Sequence, residues 1–347
     1  MEAVHRLATA AGLIGGLLLF VSTADLISAA QPPSRHALQE KYRRPATVPY
    51  PKGDHYSEAK FKLGRVLFFD PILSGAGTRS CATCHNPGLS WADGQPRAIG
   101  EHQLPLGSGL RTPTLLNVAW TTKLGWDGHF PDLERVAIGP ITASDNMNLP
   151  ENIMLQRLSE NPGYVAAFNT AFGKGDITTV SVEQALATFE RSIVSGEAPF
   201  DRWIRGNETA ISASAKRGFD LFNGKANCAA CHSGWAFSDA SFHDVGVAQN
   251  DDLGRGRLFP TSVKLKYAFK TPTLRDVARR GSYMHDGSLP TLKDVVDLYD
   301  RGGIDRPSRD DAIHQLDLPQ SEKADLIAFL ETLSGKAQSV SVPELPR

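Results

Sequence analysis

"CATCH" at residues 81–85 and "CAACH" at residues 228–232 decide how this chain folds. Between them they use Cys81, Cys84, Cys228 and Cys231, all 4 cysteines of the 347 residues. Paired C-x-x-C could form two disulfides in an exported protein or hold zinc. Neither explains a histidine directly after each pair. C-x-x-C-H is the attachment pattern of a c-type haem. Its thiols form thioethers with the vinyl groups, and the next residue lies under the iron. His85 and His232 are therefore the expected proximal ligands, and two covalently bound c-type haems the expected cofactors. Thiols used in this way leave none for a disulfide.

Outward from these motifs, the chain repeats itself. "RTPTLLNVA" (111–119) matches "KTPTLRDVA" (270–278), and "WDGH" (126–129) matches "HDGS" (285–288). Thr112 and Thr271, like Trp126 and His285, are 159 residues apart, whereas His85 and His232 are 147 apart. "LGRVLFF" (63–69) before the first C-x-x-C-H also matches "KRGFDLF" (216–222) before the second. A duplicated haem domain accounts for all of this. "SVEQALATFERSIV" (181–194) has Ser181 and Gln184 as a capping box and Val182, Ala185, Leu186, Phe189 and Ile193 on one helical stripe. Residues 150–172 and 321–333 also read as helices, and alternating strand patterns are few. The expected fold is mainly α. It has two tandem cytochrome c-like domains, 55–205 and 206–347, preceded by a proline-rich extended arm over 31–54.

Arg6 precedes the apolar run "LATAAGLIGGLLLFV" (7–21), and "SAA" (28–30) follows. This predicts a secretory signal over 1–30, cleaved after Ala30, and hence a periplasmic protein with no membrane attachment after cleavage. The alternative is an uncleaved anchor, whose length Asp25 limits. With 37 basic and 38 acidic residues, the net charge of −1 does not point to nucleic acid, and no polybasic stretch points to a lipid surface.

In "DLYDRGG" (297–303), Tyr299 ends the stripe Leu292, Val295, Val296, Tyr299, and Gly302–Gly303 reads as the helix stop. The phenol thus points inward, as an ordinary core tyrosine or as something more specific.

Taken together, "LGRVLFFDPILSGAGTRSCATCH", "TPTLLNVA…WDG", "CAACH", "TPTLRDVA…YMHDGS" and "DLYDRGG" resemble the bacterial di-haem cytochrome c peroxidases, including the MauG-type enzymes, over roughly residues 60–335. That resemblance implies a first haem that binds hydrogen peroxide and a second that stores electrons. It also implies that Trp126, between the haems, relays electrons. In the family the second haem's other axial ligand comes from the helix after "HDG". The position 14 residues beyond His285 is Tyr299. Peroxidases with external cytochrome donors often have methionine there, whereas MauG-type enzymes have tyrosine. Met284 and His285 are rival ligands. A phenolate is hard and anionic and favours oxidised iron, whereas methionine raises the potential. Coordination would also lower the phenol pKa.

On the peroxide side, Pro140 fits the family, but Asn146 stands where the family usually places a catalytic glutamate. Asparagine exchanges hydrogen bonds but is no general base near neutral pH. Asp145 is the adjacent carboxylate. His102 is the candidate loop ligand to the first haem at rest, with His129 a weaker one. Family calcium ligands fall at Arg111, Arg280 and Ser282, where an arginine argues against the ion; calcium is allowed, not expected. The expected function is a periplasmic di-haem oxidoreductase that reacts with peroxide, stores oxidising equivalents on both haems and oxidises a protein partner or electron donor. One alternative is an ordinary peroxidase using a small cytochrome or cupredoxin donor. Another is an electron-transfer protein without peroxidase activity.

Overall fold

The computed structural model describes residues 34–101, 103–107, 109–337 and 340–346. The expected signal over 1–30 and His102 lie outside these residues. Arg35–Arg347 form one compact unit. It is mainly helical: α1 (Arg35–Tyr42), α2 (Glu58–Phe69), α3 (Cys81–Cys84), α4 (Leu133–Thr142), α5 (Glu151–Glu160), α6 (Pro162–Phe172), α7 (Thr179–Arg191), α8 (Pro199–Ile204), α9 (Ala213–Asn223), α10 (Leu292–Asp300) and α11 (Gln320–Glu331). A short antiparallel pair, β1 (Phe242–His243) and β2 (Phe269–Lys270), is the only two-stranded sheet among the described residues. No helix among them is long and apolar enough to cross a membrane.

The duplication is visible in how two helix pairs cross. Gly64 of α2 lies so close to α7 that a Cβ would stand 1.8 Å from the Ala185 carbonyl oxygen and 3.0 Å from Phe189 Cβ. Gly218 of α9 meets α11 in the same way, 1.9 Å from the Asp325 carbonyl oxygen and 2.8 Å from Phe329 Cβ. Both glycines come from the repeated "LGRVLFF" and "KRGFDLF" stretches. Only hydrogen fits at either crossing, because the atom met is main chain and cannot swing aside. Gly64→Ala and Gly218→Ala are each expected to lower stability by about 1–3 kcal/mol or more through overpacking. Denaturant titration checks this; an unchanged midpoint would mean that the helices separate freely.

Each crossing anchors its own core. Leu67 and Phe68 of α2 pack with Leu186 and Phe189 of α7 in one, and Phe219 and Phe222 of α9 with Leu326 and Phe329 of α11 in the other. Phe200 and Ile204 of α8, expected in the first domain, pack in the second core.

Two local expectations are corrected. The 31–54 segment is not extended throughout, because Arg35–Tyr42 is helical. Its Tyr42 is fully buried, stacked on Phe237 at 5.0 Å and bonded through its hydroxyl to Asn223 Oδ1 at 2.9 Å. Burial of that ring stabilises a turn of helix that local propensity does not announce. In α7 the cap is Thr178, which accepts from Ser181 N, while Ser181 Oγ accepts from Thr178 N. The capping box thus begins three residues before the expected one.

Candidate functional site

Each C-x-x-C-H segment ends in a histidine held by the same device. His85 Nδ1 bonds to the Trp91 carbonyl at 3.2 Å, and His232 Nδ1 to the Phe237 carbonyl at 2.9 Å. Trp91 and Phe237 are buried core residues with φ of 59° and 52°. The loops carrying those carbonyls are fastened by the repeated "TPT". Thr114 Oγ1 donates to the Ser90 carbonyl and Thr273 Oγ1 to the Ala236 carbonyl, both at 2.6 Å. Each imidazole is therefore held through Nδ1 by a main-chain carbonyl, the kind of anchor that fixes the tautomer and orientation of a metal-binding histidine. Burial pulls both histidine pKa values down, opposed by the carbonyl bonds, which favours neutral rings. Burial pushes the Cys81 and Cys84 thiols up, and Cys228 to about 12. None of the four cysteines is in a disulfide.

A cavity of about 280 Å³ opens beside the second motif, lined by Cys228, Cys231, His232 and, from α10, Leu292, Val295, Val296 and Tyr299. The whole predicted stripe thus faces one space. Burial raises the Tyr299 phenol pKa, and the Cys228 and Cys231 thiols add to the shift. Met284 and His285 also line the cavity. His285 is otherwise engaged: its Nε2 bonds to Asp252 at 2.6 Å, and its ring stacks on Phe269 at 3.7 Å.

Trp126 lies at the same wall, 6.5 Å from the His285 ring, and its indole N–H donates to the Arg111 carbonyl at 2.8 Å. Arg111 N donates to the His285 carbonyl at 2.9 Å, and Lys270 N donates to the Trp126 carbonyl at 2.8 Å. Arg111 Nη2 donates to the Arg280 carbonyl at 3.0 Å. A guanidinium, not an open oxygen cage, meets that carbonyl. Burial lowers the Arg111 pKa, and burial with the neighbouring Arg111 charge lowers Arg280 to about 10.

Pro140 sits inside α4, its carbonyl accepting from Met147 N at 3.1 Å. Asn146 is half-buried on the following turn. Asp145 is exposed, and its carboxylate accepts from Gly107 N at 3.1 Å, tying down the 98–109 loop. His129 is also exposed, bonded through Nδ1 to Asp127 at 2.6 Å.

Sequence reasoning missed His243, which also lines the cavity. Its Nε2 bonds to Asp239 at 2.9 Å and its Nδ1 to Asp310 at 2.7 Å. The Asp239 bond, followed by Cys231 and Asp310, pushes its pKa up to about 11 against the cost of burial. Asp239 and His243 are neighbours in sequence, but Asp310 joins them across 67 positions only through folding, so no sequence signal marks the cluster. The two carboxylate bonds to the imidazolium contribute stability that is complete below about pH 6.5 and is lost as pH rises through the raised pKa. His243→Gln is expected to flatten stability against pH over that window, which pH-dependent denaturation measures.

Two histidines anchored through Nδ1, two C-x-x-C pairs and, beside the second pair, an apolar cavity suit haem c, and they define a helical cytochrome. The di-haem cytochrome c peroxidase profile matches residues 58–209 and the cytochrome c profile residues 215–334. The methylamine utilization protein MauG of Methylorubrum extorquens is 51% identical over 312 residues, 89% of this chain and 88% of that one. MauG of Methylophilus methylotrophus is 44% identical, covering 95% and 98%. Cytochrome-c peroxidase IdrP1 of Denitromonas iodatirespirans is 35% identical, covering 83% and 84%. A crystal structure of a MauG-like protein associated with microbial copper homeostasis superposes with a TM-score of 0.78 at 28% identity, covering 85% and 96%. The chain belongs to the di-haem cytochrome c peroxidase and MauG family. It is a haem c-containing oxidoreductase of the MauG-like di-haem type.

Proposed function

We propose that this protein is a periplasmic di-haem enzyme that consumes hydrogen peroxide at its first haem and withdraws electrons from a protein partner. The placement of Tyr299 on the cavity wall with His232 carries this reading. Similarity to two MauG proteins supports it. The bound haems, attached through Cys81, Cys84, Cys228 and Cys231, supply iron redox chemistry and hold the oxidising equivalents. His85 and His232 would hold the haem irons, each ring anchored through Nδ1 by a main-chain carbonyl. Tyr299 would supply its phenol oxygen to the second haem's iron from the cavity wall. Trp126 relays electrons between the two sites, its indole fixed on the Arg111 carbonyl. Asn146 orients peroxide by hydrogen bonding without serving as a base, and Pro140 shapes the same side. His285 and His129 are bonded to Asp252 and Asp127 and are not needed as ligands; His102 is the candidate resting ligand of the first haem. The Arg111 guanidinium takes the place of calcium at the Arg280 carbonyl.

Stopped-flow mixing of the fully oxidised protein with stoichiometric peroxide tests the reading. A long-lived species oxidised at both haems is expected. Rapid turnover with a reduced cytochrome would make it an ordinary peroxidase, and inert haems an electron carrier. Asn146→Glu is expected to raise the peroxide rate by about 10²-fold, the lower end of a general base's contribution. An unchanged rate would remove Asn146 from the mechanism.

A further inference from the structure

Arg111 and Arg280 are 7% and 8% exposed, and both line the cavity. Their charges lie together. Arg111 Nη2 reaches the Arg280 carbonyl at 3.0 Å, and Arg280 Nη2 reaches the Thr273 and Arg275 carbonyls at 2.7 and 2.9 Å. Carbonyl bonds orient a guanidinium but do not neutralise it. The Nε of each arginine has no partner. Among the described residues, no carboxylate forms an ion pair with either. The acids with the nearest influence are engaged elsewhere: Asp93 accepts from Thr112 Oγ1 at 2.6 Å, and Asp276 from Gly335 N at 2.8 Å. Two buried like charges with no anion are costly, so the finished molecule needs one here. A haem brings two carboxylates on one edge.

We propose that Arg111 and Arg280 form a carboxylate-binding site in this cavity wall and that it takes a propionate of the second haem. The proposal rests on the di-haem reading. Two cations beside the haem favour Fe(II) and raise its potential. Because Arg111 also accepts the Trp126 indole N–H and donates to the His285 carbonyl, the same residue ties the propionate to the inter-haem segment.

The test uses the full haem-loaded chain. A haem count by pyridine haemochrome comes first; fewer than two haems in the unaltered chain would overturn the di-haem reading itself. Spectroelectrochemical titration then compares Arg111→Gln, Arg280→Gln and the two lysine variants. Each glutamine variant is expected to lower the Fe(II):Fe(III) ratio of one haem about tenfold at a fixed potential, a shift of about 59 mV for one electron. Lysine should recover most of it. Unaltered potentials with both haems bound, or a loss that lysine does not recover, would overturn the proposal. If the glutamine variants fail to take up haem, restored loading by lysine supports the site, and failed loading with lysine overturns it. A potential in the unaltered chain that moves with added acetate would mean that the site takes a dissolved anion, and would also overturn it.

Discussion

Asp201→Ala is expected to lower stability by about 3–5 kcal/mol, the loss seen when one partner of a buried ion pair is removed. Asp201 is 1% exposed, and its two oxygens serve two arginines. Oδ1 pairs with Arg275 Nη1 at 2.9 Å and Oδ2 with Arg44 Nη1 at 3.1 Å, while Oδ2 also accepts from Ala198 N at 2.8 Å. Arg275 is fully buried, with its guanidinium 5.2 Å from the Phe237 ring centre. Without the carboxylate it is an uncompensated cation in an aromatic core. The damage should be directional. Arg275 Nε donates to the Trp235 carbonyl at 2.8 Å, in the loop between His232 and its Phe237 carbonyl. The second haem's spectrum is therefore expected to change while the first haem's does not. Denaturant unfolding and the haem-region spectrum report the two effects. A loss below about 1 kcal/mol, the range of exposed pairs, would show that Arg275 is neutralised by some other group.

Tyr299→Met is expected to raise the second haem's potential by on the order of 100 mV, within the about 0.8 V over which axial ligands act. A soft, neutral thioether replaces an anionic oxygen and favours the reduced iron. Tyr299→Phe leaves the ring and removes the oxygen, so the spectrum of the oxidised second haem should change and the peroxide-generated oxidised state should decay faster. Potentiometry and stopped-flow spectra check both. If Tyr299→Phe leaves the second haem's spectrum unaltered, the phenol is a wall of the cavity and no more.

The parts of this fold that were legible in the sequence are those whose cause is local. C-x-x-C-H needs five consecutive residues to serve one macrocycle, and α10 shows its inner face by helical spacing alone. The repeat was legible because two copies of one unit keep the same glycine at the same crossing. Features made by distant segments left no local trace. The arginines at 111 and 280 read as departures from a family pattern, and their adjacency needs a contact across 169 positions. α1 is helical because Tyr42 finds an aromatic cage built from residues 200, 219 and 237. The role of "TPT" in fastening the loop after each C-x-x-C-H segment also needed distant segments in place.

The reciprocal main-chain bonds at the cavity wall have a wider meaning. Arg111 to His285 and Lys270 to Trp126 are one bond made twice, since both donors and both acceptors are 159 residues apart. The two halves meet about a pseudo-two-fold axis, as the subunits of an isologous dimer do. A true dimer of identical subunits would present two equal faces and give charge no preferred direction. Fusion into one polypeptide frees each face to change alone. On this axis an oxidisable indole, Trp126, confronts an imidazole already committed to Asp252. The proposed relay through Trp126 thus crosses this axis at a pair of unequal side chains, which two identical subunits could not present.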